Sequence, residues 1–241
     1  MVKEERWLDI SYLQQGTALQ KEVHALLARL NVMNLLNGYH PVLVGTIPLG
    51  IQVEGSDLDI ICEVHDLEAF AAQVGLHFGE MDKYSCESRI VDGIPRIKIN
   101  FTVEGWLVEL FGQPRSSREQ NGYIHMVAEA RVLNILGTSF RRQVIELKRQ
   151  EVKTEPAFAR LLLLEGDPYQ AMLELYKLPE MELEALCRER FINHSRKIVE
   201  ESLPNESGDP KSAQKRCAGT APANGTVDQQ AFAAGGSGEE T

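Results

Sequence analysis

The run IPRIKINFTVEGWLVELFG, residues 94–112, constrains the fold more than any other part of this 241-residue chain. Two stretches alternate apolar and polar side chains with the period of two that a strand imposes. Only Glu104 and Gly105 separate them, an acidic-glycine link of the kind that closes a hairpin turn. Pairing Val103 with Trp106 sets Phe101 opposite Val108 and Asn100 opposite Glu109. One face then carries Ile97, Ile99, Phe101, Val103, Trp106, Val108 and Leu110, an apolar surface that has to be covered. The other carries Lys98, Asn100, Thr102, Leu107, Glu109 and Phe111, a mixed surface able to line a site.

A second constraint lies upstream in LVGTIPLGIQVEGSDLDIICEV, residues 43–64. An apolar strand runs into a Gly45–Thr46 turn, and after a loop the strand DLDIICEV begins. Asp57 and Asp59 lie two residues apart on it, so they project from one face with Cβ atoms only ~7 Å apart. Carboxylates that close repel one another unless water or a cation intervenes. Together with phosphate oxygens they are the ligands that hard Mg²⁺ takes. The backbone N–H groups and hydroxyl at Gly45–Thr46 suit a phosphate, and Glu109 on the hairpin is the candidate third carboxylate. Cys62 reads as a small core residue, and His65 as a loop residue rather than a metal ligand.

Around these strands the pattern is helical. Residues 18–37 place Val23, Leu26, Leu27, Leu30, Met33 and Leu36 at helical spacing, with Gly38 at the end. DLEAFAAQVGLHF, residues 117–136 and residues from about 139 to 150 read as further helices. Thr154 and Asp167 stand at two helix starts, each close before a proline, and a charged helix covers roughly 180–202. One helical face carries Arg118, Asn121 or Gly122, and His125, which offers Arg118 to a triphosphate and His125 to a base or acceptor. Arg141, Arg142, Lys148 and Arg149 read as the wet surface of their helix. From Pro204 onward large apolar residues almost vanish, and the composition is that of a disordered tail. The expected organisation is an α/β domain over 1–115, a helical region over 116–203 and the tail over 204–241.

With 35 acidic against 25 basic residues, a net charge of -10 argues against an extensive nucleic-acid surface. No apolar run approaches the ~20 residues of a membrane helix. The N-terminus lacks the apolar core of a signal peptide. Cys62, Cys86, Cys187 and Cys217 are scattered without a CxxC pair, which points away from zinc or a disulfide framework and toward the cytoplasm.

Val44-Gly45-Thr46, the ten residues from Ile47 to Ser56, and Asp57-Leu58-Asp59-Ile60 resemble the signature of the polymerase-beta-like nucleotidyltransferase superfamily. There an apolar-Gly-[Gly/Ser] turn precedes Asp-apolar-[Asp/Glu]-apolar, and Thr46 departs from the pattern where Ser or Gly is usual. The longer run, about residues 10–178, looks like an uncharacterised bacterial family placed in that superfamily. The resemblance implies an α/β fold, a small mixed sheet with packed helices followed by a helical C-terminal part. It implies Mg²⁺ or Mn²⁺ on Asp57, Asp59 and Glu109, and a nucleoside triphosphate held at Gly45, Thr46, Ser56 and Arg118. The expected reaction moves a nucleoside monophosphate to an unidentified acceptor (small molecule, protein or RNA end) with release of pyrophosphate. The alternative is a non-catalytic nucleotide-binding or antitoxin-like interaction protein on the same fold.

Overall fold

The hairpin forms in the register that the alternation sets: Val103 pairs with Trp106, Phe101 with Val108 and Asn100 with Glu109. Glu104 (φ 49°) and Gly105 (φ 84°) are both left-handed, as a type I′ turn demands. In the computed structural model, which describes residues 4–202, this hairpin is part of a five-stranded sheet. The segment expected to be a tail, residues 204–241, lies outside the described residues.

The strands are β1 (Val42–Val44), β2 (Leu58–Glu63), β3 (Asp82–Val91), β4 (Ile94–Val103) and β5 (Trp106–Gln113), in the spatial order β1-β2-β5-β4-β3. β2 and β5 run parallel and the remaining neighbours antiparallel, so the sheet is mixed. The apolar face of the hairpin joins Leu58, Ile60 and Cys62 of β2 beneath α1 (Ala18–Leu30) and α4 (Leu67–Phe78). Phe78 of α4 stacks on Phe101 of β4, with ring centroids 4.8 Å apart. On the opposite face Val42, Val44 and Ile61 pack against Tyr123, Met126 and Val127 of α5 (Asn121–Arg149). Behind α5 lie α6 (Thr154–Leu161), α7 (Pro168–Lys177) and α8 (Glu180–Ser202). The two faces therefore hold separate cores, and α/β is the class of the fold.

Four local expectations change. The helix expected over 18–37 stops at Leu30, because Asn31 takes the left-handed conformation (φ 54°) that short polar side chains tolerate. A single turn, α2 (Val32–Leu35), follows and still delivers Val32 and Leu36 to the core. Strand β3 was not among the expected elements, since its side chains are mostly exposed and give no alternation. The helix expected from residue 117 begins at Asn121, after a 3₁₀ turn over Ser117–Glu119. It continues to Arg149 through a break at Gly137 (φ 70°, ψ -153°), near the expected gap between two helices. Thr154 is the first residue of α6 rather than its cap, a position held by Lys153. Asp167 does cap α7, its side chain accepting from the Tyr169 N–H at 3.2 Å. No helix among the described residues is long and apolar enough to cross a membrane.

Candidate active site

β1 ends at Val44, and Gly45 turns the chain into α3 (Thr46–Leu49) with φ 79° and ψ -147°. A side chain at this point would collide with the site, since a Cβ on Gly45 would stand 2.6 Å from Asp59 Oδ2. The loop then returns to β2, where Ser56 Oγ accepts from the Val53 N–H at 3.0 Å and fixes the approach to Asp57. Asp59 sits between two strands, its Cα partnered with Val44 on β1 and with Glu109 on β5. The parallel pairing of β2 with β5 is thus what brings Glu109 to the aspartates. Asp57, Asp59 and Glu109 each offer an oxygen, and the three oxygens lie within 4.8 Å of one another.

Such a cluster is electrostatically costly without a cation. Burial, with Asp57 and Glu109 beside it, raises Asp59 to about 7 against the opposing pull of Lys98 and Lys148. The Lys98 ammonium reaches across from β4 to form an ion pair with Glu109. Three oxygen donors, crowded enough to hold a proton on Asp59 and to recruit a lysine, fit a hard divalent cation.

The triad opens into a cavity of about 710 Å³, also lined by Gly45, Thr46 and Ser56. Helices α5 and α6 supply its far wall. There His125 Nδ1 lies 3.1 Å from Glu155 Oε1 and Lys148 Nζ donates to Thr154 Oγ1 at 3.0 Å. Burial acts to raise Glu155, but hydrogen bonds from His125 and from its own backbone outweigh it and hold the carboxyl below the ordinary value. Glu129, 3% exposed, is pushed well above that value by burial and by Glu155, with Lys148 opposing. Burial lowers Lys148, while Glu129, Glu155, Asp57 and Asp59 draw it back toward the charged form. This lysine stands between the two carboxylate groups.

The structure brings together Asp57, Asp59, Glu109, Gly45, Thr46 and Ser56, with Asn121, Gly122 and His125 on the facing wall. Arg118 is not among them. It lies in the 3₁₀ turn before α5 and lines a separate cavity of about 690 Å³ with Asp9 and His40. Its side chain bonds Tyr123. Because the helix starts only at Asn121, Arg118 does not share its face with His125. Lys148, expected on a wet surface, lines the main cavity, as do Glu129 and Glu155. Nothing in the local pattern marks these three; the break at Gly137 and the placement of α6 decide where they point. Lys98, by contrast, was legible from its place two residues from Asn100 on the mixed face. Arg141 turns to the Leu49 and Gly50 carbonyls rather than to the cavity. Cys62 is fully buried and His65 is exposed beside Glu63, as expected of a core and a loop residue.

Fold and site together define an α/β protein with a carboxylate triad on its mixed sheet. The chain belongs to the family described as DUF4269, a domain of unknown function, whose model matches residues 25–175. No curated protein matches it in sequence. Among solved structures it is similar to Cid1, described for its RNA terminal uridylyl transferase activity, at 13% identity and a TM-score of 0.44, over 61% of this chain and 49% of that one. A second Cid1 structure, described as a poly(U) polymerase, is similar at 14% identity and a TM-score of 0.43, over 60% and 48%. The GLD-2/RNP-8 complex is similar at 15% identity and a TM-score of 0.45, over 80% of this chain and 82% of that one. The chain spans about half the length of the Cid1 structures.

Proposed function

We propose that this chain is a metal-dependent nucleotidyltransferase, which moves a nucleoside monophosphate from a nucleoside triphosphate to an acceptor hydroxyl and releases pyrophosphate. One observation carries the reading: three carboxylate oxygens within 4.8 Å of one another, beside a glycine turn and facing a cavity of about 710 Å³. Asp57, Asp59 and Glu109 would hold Mg²⁺ or Mn²⁺, which when bound supplies charge neutralisation at the α-phosphate and at the departing pyrophosphate. The Gly45–Thr46 turn and Ser56 bind the triphosphate, and Lys148, anchored on Thr154, adds a positive charge on the opposite wall. The acceptor oxygen forms a bond to the α-phosphorus as the bond to the bridging oxygen breaks. Its proton passes to Glu109, the triad member on the side of the uncovered strands β4 and β3. His125, with Nδ1 held by Glu155, orients the base or the acceptor.

The test is label transfer from each α-labelled nucleoside triphosphate with Mg²⁺ or Mn²⁺, with and without cell extract. Glu109→Gln keeps the shape and removes one charge, so transfer should fall at least about tenfold while triphosphate binding survives. Asp57→Asn and Asp59→Asn should impair both. A Glu109→Gln protein working at the parental rate would overturn the assignment. Binding of triphosphate without any transfer would leave the non-catalytic nucleotide-binding reading in its place.

A further inference from the structure

The face that carries the triad is covered only in part. Gly122 of α5 packs over Val44 and Ile61, above β1 and β2, whereas β3 is largely exposed. Strand registers order the uncovered part. Level with Asp59 and Glu109 stand Asn100 and Ser85, and two residues along come Lys98 and Glu87. Two residues further, Arg96 of β4 is paired directly with Arg89 of β3.

A like-charged pair opposed across two strands is destabilising, and no ion pair offsets it. Among the described residues none of the ion pairs involves Arg89, Arg96 or Arg115. Arg96 Nε is buried and has no hydrogen-bond partner. Arg96 and Arg115 line the same cavity as the triad. Of the neighbouring charges, Lys98 is engaged by Glu109 and Glu63 by His65, while Glu87, one step along the same face, forms no ion pair with either opposed arginine. The uncompensated positive charge on this face therefore lies with the arginines. Arg96 is four residues along β4 from Asn100, which places it about 13 Å from the carboxylate row on the same side of the sheet.

We infer that Arg89, Arg96 and Arg115 form a phosphate-binding station for the acceptor, whose reacting hydroxyl lies at the triad while a phosphate it carries is held about 13 Å away. The inference rests on the nucleotidyl-transfer reading and narrows its acceptor to phosphate-bearing molecules. Guanidinium forks match phosphate oxygens in pairs, and a bound phosphate would relieve the repulsion between the opposed arginines. An anionic acceptor also accords with a small local patch on a chain of net charge -10, where no broad basic surface is on offer.

Calorimetric titration of the full chain, with Mg²⁺ and a non-hydrolysable triphosphate saturating the nucleotide site, tests it. The probes are the dinucleoside monophosphate ApA, its 5′-phosphorylated form pApA, and maltose 6′-phosphate beside maltose, each phosphorylated member long enough to approach both points. A terminal phosphate should raise affinity about tenfold or more in at least one pair. Which pair responds distinguishes an oligonucleotide end from a small phosphorylated acceptor. Arg96→Gln and, on the exposed edge strand, Arg89→Gln should each remove most of the gain and leave triphosphate binding unchanged. Equal affinity with and without the terminal phosphate in both pairs, or a gain that survives in both variants, would overturn the station. Titrations repeated without triphosphate keep the two readings apart. Arginine-dependent phosphate binding in a protein that takes up no triphosphate would sink nucleotidyl transfer and leave the station standing.

Discussion

Gly45 and Gly137 occupy nearly the same backbone region, at φ 79°, ψ -147° and φ 70°, ψ -153°. Side chains are almost never found there, and placing one costs roughly 1–3 kcal/mol. Their surroundings differ. A Cβ at Gly137 meets nothing within 4 Å, whereas at Gly45 it would meet Asp59 Oδ2 at 2.6 Å. Both alanine variants should lose stability in urea unfolding, and Gly45→Ala should lose more. Only Gly45→Ala should also weaken triphosphate binding, because only there does relief of the clash move Asp59.

Asp59 gives a second expectation at this scale. Its carboxyl titrates at about 7 in the folded chain, against 3.8 for the ordinary group. The folded state thus keeps a proton that the unfolded state has released, and the stability this confers is present below about 4 and lost as pH rises through 7. Metal-free protein should lose stability across that window, by a few kcal/mol at most. Asp59→Asn should flatten the slope, and what remains belongs to Glu129, which is raised in the same direction. Urea midpoints from pH 5 to pH 8 in EDTA would read it. A profile equally steep in Asp59→Asn would place the proton elsewhere.

At the scale of elements, α4 and β4 are joined by the stacked rings of Phe78 and Phe101, the latter fully buried. Phe101→Ala should cost about 3–5 kcal/mol, as deletion of a buried aromatic side chain does, read as a loss of unfolding midpoint without change in slope. Phe101 also marks what sequence conveys well. Alternation fixed its partner Val108, its inward face and, through the same register, the position of Glu109 opposite Asn100. Strand β3 left no such trace, because Ser85, Glu87 and Arg89 lie on one side and Cys86, Ser88 and Ile90 on the other, nearly all in water. The Asp92–Gly93 turn that joins it to β4, with φ values of 53° and 76°, was the available signal. Lys148, Glu129 and Glu155 were hidden for another reason. A polar residue on a helix looks the same in sequence whether it faces water or a cavity, and only the packing of α5 and α6 on the sheet tells the two apart.

Over the whole molecule, 35 acidic residues against 25 basic ones make anions poor ligands for most of the surface. Triphosphate binding should consequently depend on what neutralises the triad. In EDTA a nucleoside triphosphate should raise the melting temperature only weakly, and with Mg²⁺ or Mn²⁺ clearly. Equal stabilisation in both conditions would mean that Lys148 and Lys153, which also line the cavity, bind it without a cation.

The position of β2 inside the sheet has a dynamic side. β2 is hydrogen-bonded on one edge to β1 and on the other to β5, whereas β3 has a partner on one edge only. Local opening starts where a backbone has least to break, so amides along β3 should exchange with solvent well before those of β2. Breathing at the rim would therefore release Arg89 first and leave the three carboxylates together. Lys98 relieves part of their mutual repulsion, and while the fold holds the remainder can be discharged only by a proton or a counter-ion.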